Sequence, residues 1–129
     1  MELTLQAYSA KSAAFHHDVP GMPMLEINHC YAGRVGYTSD AGLALYLGAG
    51  DISLHGLHTC AESVMQFPFD GYLGFSFRVD VARLDANPPD FMREAGVCAA
   101  GILTKFCGEN GFSVLSSAEQ VGALLDPLY

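Results

Sequence analysis

The chain has 129 residues, half of them hydrophobic, with 14 Gly and 6 Pro. That is enough chain for one domain around one core, and it is not the composition of a disordered segment. Fourteen acidic residues against six basic ones give a net charge of -8. Such a balance repels a phosphate backbone and excludes direct nucleic-acid binding as the task of this chain.

Glu2–Tyr8 alternates polar and apolar residues and predicts a first strand, placed at a sheet edge. Ser9–Met22 reads as partly extended chain ending in a Pro20-Gly21 turn. Pro23–Tyr31 predicts a strand with Leu25, Ile27, His29 and Tyr31 on one face and Met24, Glu26, Asn28 and Cys30 on the other. Ala32-Gly33 predicts a tight turn into Arg34–Ser39. Further turns follow at Asp40-Ala41-Gly42 and Gly48-Ala49-Gly50-Asp51, with strands over Leu43–Leu47 and Ile52–His55. Ser63–Phe69 and Tyr72–Val79 flank Asp70-Gly71, a hairpin signal. In the second of these strands Leu73, Phe75, Phe77 and Val79 share one face and are expected in the core. Short strands separated by turns at roughly 8–12 residue intervals suit a sandwich or barrel.

The pattern then becomes helical. Short helices are predicted near Asp80–Leu84, Pro88–Ala95 and Val97–Phe106, with a late strand at Gly111–Leu115. Ser116 and Glu119 form a capping box for a last helix, whose stripe is Val121, Leu124, Leu125 and Leu128.

Three segments in sequence resemble the N-terminal domains of AraC-type transcription regulators. Cys30–Ser39 looks like their strand, G-R-V-x-Y, strand hairpin. Tyr46–Leu54 resembles their L-x-P-G-D-x-x-L turn, with Ala49 where the family more often has Pro. Phe67–Phe77 resembles the P-x-x-x-Y-x-G-I-x-I hairpin that follows. The resemblance covers roughly Leu25 to Asp80. It implies a mainly β fold, a cupin-like jelly roll or β-barrel over about residues 1–80, followed by a helical dimerisation extension over about 81–129. It also implies a cytoplasmic bacterial regulatory domain that binds a small effector and forms a homodimer. Contact with DNA would run only through a C-terminal helix-turn-helix domain absent from this chain. No leader and no membrane span are expected.

The chemistry is read on that frame. Glu26 and Asn28 share a polar strand face suited to bonding a sugar hydroxyl or an amine if that face lines the barrel, and are otherwise solvated. His55 and His58 are expected near the barrel rim, and Met65 and Phe75 as apolar walls. These six are the candidate ligand-binding residues. Ile102, Val121, Leu124, Leu125 and Leu128 are the candidate dimer interface, against the plainer alternative of packing within one subunit. No catalytic residue, metal ligand or cofactor is assigned. The five His show no cupin H-x-H pair, and Ser53 lacks a nucleophile elbow. Of the four Cys, Cys60 is the candidate for a thiol sensor, while Cys98 and Cys107 read as inert packing residues. Two other functions remain open: a stand-alone metal-dependent cupin enzyme, and a dimerisation module without a ligand.

Overall fold

A computed structural model describes residues 1–9, 11–16, 23–39, 42, 44–56, 62–69, 71–108, 111–116, 123 and 126–129. Its strands are β1 (Glu2–Tyr8), β2 (Ser12–His16), β3 (Met24–Ser39), β4 (Ala44–Gly48), β5 (Ile52–Gly56), β6 (Glu62–Gln66), β7 (Tyr72–Asp80) and β8 (Phe112–Leu115). Between β7 and β8 lie helices α1 (Val81–Ala86), α2 (Asp90–Ala95) and α3 (Ala99–Ile102), the last continuing into a π-helical turn, Leu103–Cys107. The architecture is mainly antiparallel β and barrel-like, with a few short helices.

Strand β3 organises the fold. Its first half pairs with β7 and β5 in a sheet of order β1-β7-β3-β5-β8. Its second half pairs with β4 and β6, and β2 is added on β6. The expected hairpin at Ala32-Gly33 is therefore not a hairpin. The chain runs on as one 16-residue strand that passes from one sheet into the other. The register against β7 shifts between Cys30 and Ala32, and Gly33 has φ +86°. Such a bulge bends a strand and increases its twist, which lets one strand serve two sheets.

Two apolar clusters result. One lies between the two sheets and contains Cys30, Val35, Leu45, Leu47, Phe67 and Tyr72. The other lies on the outer face of the larger sheet, where Leu25, Leu54 and Val79 meet Val81, Ala99 and Cys107 of the helices. The alternation of β7 follows this division. Phe77 and Val79 face the helical layer, while Tyr72 belongs to the inner cluster. Ile102 also packs on the helical-layer cluster, so the subunit itself accounts for its apolar side chain.

The helices are held by specific caps. Asp80 accepts a hydrogen bond from the Arg83 N–H and starts α1. Asp85, near the end of α1, accepts from the Ala99 and Ala100 N–H groups at 2.7 and 3.0 Å and so ties α1 to the start of α3. Replacing Asp85 by Ala removes both acceptors. The expected loss is about 1 kcal/mol in urea denaturation, and a variant as stable as wild type would show that these bonds contribute nothing net. Cys98, expected to be packed, is exposed and accepts at Sγ from the Gly101 N–H. No helix among the described residues is long and apolar enough to cross a membrane.

Candidate functional site

The space between the two sheets is incompletely filled and leaves a partly open cavity of about 60 Å³. Its two walls differ in chemistry because each strand presents alternate residues to the inside. The larger sheet contributes Gln6, Glu26, Asn28, Ser53, His55 and Arg78. The smaller sheet contributes Val35, Tyr37, Leu45, Leu47 and Met65, and Tyr8 and Tyr72 close one side.

Strand register explains why the polar groups meet. Glu26 on β3 lies opposite His55 on β5 and Arg78 on β7. One row further along, Asn28 lies opposite Ser53 and Ser76. These rows form a connected network. The Arg78 guanidinium donates to Glu26 Oε2. The Asn28 amide donates to Glu26 Oε1 at 3.0 Å and to Ser53 Oγ at 3.4 Å. Ser53 Oγ lies 2.8 Å from His55 Nε2. Asn28 thus donates to the Ser53 oxygen, and Ser53 and His55 share a hydrogen bond. Beside this network the Gln6 amide donates to Ser76 Oγ at 3.2 Å.

Burial by itself raises the pKa of the Glu26 carboxyl. The Arg78 guanidinium, the Asn28 amide and the charge of His55 together outweigh that and hold it below its ordinary value. Glu26 is therefore a carboxylate inside the protein, neutralised by Arg78. Burial pushes the Tyr72 phenol far up, so it remains a neutral O–H group.

Of the six candidate ligand-binding residues, Glu26, Asn28, His55 and Met65 line the cavity. His55 is buried in the wall, not placed at a rim. His58 lies outside the described residues. Phase along β7 corrects the placement of Phe75: it points away from the cavity and packs on the outer face against His29 and Tyr129. There the Tyr129 hydroxyl is 2.9 Å from His29 Nδ1, and the Tyr129 ring stacks on Tyr31 at 4.3 Å. Of the candidate dimer residues, Val121, Leu124 and Leu125, with the side chain of Leu128, also lie outside the described residues. Gln6, Tyr8, Tyr37, Ser53 and Tyr72 were not assigned from sequence. Arg78, on the polar face of its strand, is legible from sequence as a partner for a buried acid or as a surface residue, and the structure pairs it with Glu26. For Ser53 the signal, an alternate polar position of a strand, becomes readable only once the register is known.

The resemblance motifs have structural roles. Asp51 Oδ2 accepts from the Gly48 N–H at 2.8 Å, and the Asp51 N–H donates to the Gly48 carbonyl. Gly50 and Asp51 in turn exchange backbone bonds with Cys30. The Gly-Asp turn thus pins β4 and β5 to the bulge of β3. Gly74 gives the Tyr72 ring its place, since a Cβ there would lie 2.4 Å from the Tyr72 hydroxyl oxygen.

Cys60 lies outside the described residues. Cys30 is fully buried beside the cavity, and burial pushes its thiol up to about 11. A thiol so raised is almost wholly protonated at pH 8. Mass mapping after brief iodoacetamide treatment is expected to find Cys98 modified and Cys30 untouched; labelling of Cys30 before Cys98 would contradict this environment. Among the described residues, no three of His, Cys, Asp and Glu converge as a metal site.

No protein-family model matches the chain, and no curated protein matches it. Solved structures do match in fold. ToxT from Vibrio cholerae O395, an AraC-family regulator, superposes with a TM-score of 0.62 at 9% identity over 98% of this chain and 44% of its own. Wild-type ToxT with an unsaturated fatty acid bound, from strain SCE256, gives 0.56 at 8% identity over 95% and 44%. YhaK from Escherichia coli gives 0.50 at 15% identity over 60% and 34%. The chain spans less than half the length of each of these proteins. The chain thus shares its fold with a part of ToxT that makes up less than half of that protein's length.

Proposed function

We propose that the chain is the effector-sensing and dimerisation half of a bacterial AraC-type regulator, cytoplasmic, and coupled to DNA through a separate helix-turn-helix domain. The observation that carries this reading is the cavity between the sheets, with one hydrogen-bonding wall and one apolar wall, a common arrangement in small-molecule sites. It sits in a fold whose matched example holds a fatty acid in one solved form. Glu26, Asn28, Ser53 and His55 offer donors and acceptors to a ligand edge; Val35, Leu47 and Met65 offer an apolar surface to its body. Pairing of two copies through the C-terminal stripe would bring two DNA-binding halves together. Effector binding would act by favouring one arrangement of the full regulator over another.

A thermal-shift screen against a metabolite panel tests the proposal, with light scattering for the mass. A true effector at a hundredfold over its Kd stabilises the fold by about 2.7 kcal/mol. The expected result is a dimer whose Tm rises with one compound class, and a Met65→Trp variant, with its cavity filled, that no longer responds. A response that survives Met65→Trp unchanged would place the binding elsewhere. A monomer that answers only to a divalent metal would overturn the reading in favour of a metal-dependent enzyme.

A further inference from the structure

The donors of the polar wall already hold a carboxylate, and it belongs to the chain. Arg78 engages one oxygen of Glu26, and Asn28 engages the other. Both side chains are withdrawn from solvent, with 28% of Arg78 and 12% of Glu26 exposed. Arg78 and Glu26 are the oppositely charged pair of the lining, and the other polar groups there are amides, hydroxyls, phenols and the His55 imidazole. Arg34, the other arginine near the inner strands, is directed at the Phe69 ring and is not part of the cavity lining. A ligand carboxylate entering this space would compete with Glu26 for the same donors and lie within a few ångströms of a like charge, where water screens poorly.

From this arrangement we infer that Glu26 is a specificity-determining residue: it acts as a built-in occupant of the anion position beside Arg78 and selects small ligands with hydroxyl or amide groups over their anionic counterparts. The inference rests on the cavity being the effector site. It sets this chain apart from the fatty-acid-bound neighbour of the same fold. Specificity of this kind comes from a repulsive element built against the wrong ligand, not from a new attractive contact.

Isosteric pairs differing only in charge test it: butyramide against butyrate, and benzamide against benzoate. They are titrated into the isotope-labelled full chain at pH 8 and followed by NMR shifts of cavity amides. The expected result is that wild type binds each amide about tenfold or more tightly than its carboxylate. In Glu26→Gln the preference shifts toward the carboxylate by at least about the same factor. In the double variant Glu26→Gln/Arg78→Met that gain disappears, because the cation is gone. Wild type binding a carboxylate as tightly as its amide would overturn the inference while leaving the ligand site standing. So would a Glu26→Gln protein with an unchanged ratio. Should Glu26→Gln fail to fold, the wild-type ratio alone decides. If none of the four probes perturbs the cavity amides of wild type, the effector-site reading falls, and this inference with it.

Discussion

Replacing Gly33 by alanine is expected to destabilise the domain by about 3 kcal/mol or more. Two costs add. Gly33 has φ +86°, a conformation that a side chain disfavours, and a Cβ built there would lie 2.2 Å from the Gly71 carbonyl oxygen. The Cβ position is fixed by the backbone and the oxygen is itself backbone, so neither can rotate away. The strand must shift at the bulge where β3 leaves one sheet for the other. Gly96 supplies the comparison. It caps α2 with φ +65° and has nothing within 4 Å of the same built position. Gly96→Ala carries the conformational cost alone, about 1 kcal/mol. Urea denaturation of both variants measures the difference. If the two lose equal stability, the close approach of Gly33 to Gly71 is not a constraint on the fold.

The second large effect is expected at the ion pair. Glu26→Leu leaves the Arg78 guanidinium in the wall without its carboxylate. Removing one partner of a fully buried pair costs about 3–5 kcal/mol. The partial exposure of Arg78 brings the expected loss to about 2 kcal/mol. The double variant Glu26→Leu/Arg78→Leu is expected to recover most of that loss, because no charge is then stranded. A double variant less stable than the single one would mean that the pair itself, beyond mutual neutralisation, holds the sheet. The same pair gives the fold an acid dependence. The Glu26 carboxyl titrates below its ordinary value near 4.5 in the folded chain. Its contribution is thus complete above that value and is lost as pH falls through the lower folded one. Thermal melts between pH 6 and pH 3 are expected to fall more steeply for wild type than for Glu26→Gln, and parallel curves would count against the ion pair as the cause.

Periodicity in the sequence located nearly every strand. Tyr72–Val79 and the first half of β3 were readable because large apolar residues alternate there without interruption. The helical segments were readable as a break in the strand alternation after Val79, with Pro88-Pro89 suited to the first turn of α2. What alternation cannot state is which face of a strand points to which core. In β7 both faces are covered: Phe75 and Val79 are buried and Phe77 partly buried on one side, and Tyr72 and Ser76 are buried on the other. Phe75 was expected on the cavity wall with the apolar face of β7, yet it is the opposite face, with Tyr72 and Arg78, that lines the cavity. Ala32-Gly33 carries the residues of a turn, but pairing of β3 to strands of two sheets carries the chain through it at a bulge. Glu26 and Asn28 were legible as a polar pair on one face. Their partners Arg78 and Ser53 are 52 and 25 residues away, a distance that register bridges and local pattern does not.

The wall formed by β3 is one side chain thick. Glu26 and Asn28 face the cavity, and their immediate neighbours Leu25 and Ile27 face the cluster that seats the helices. A guest molecule touching Glu26 or Asn28 does so on the reverse of the surface on which Val81, Ala99 and Ile102 rest. A displacement of β3 or a change in its twist is therefore registered on both sides at once. News of an occupied cavity would need no chain of intermediaries to reach the exterior: the strand that touches the guest is also the bearing on which the helices turn.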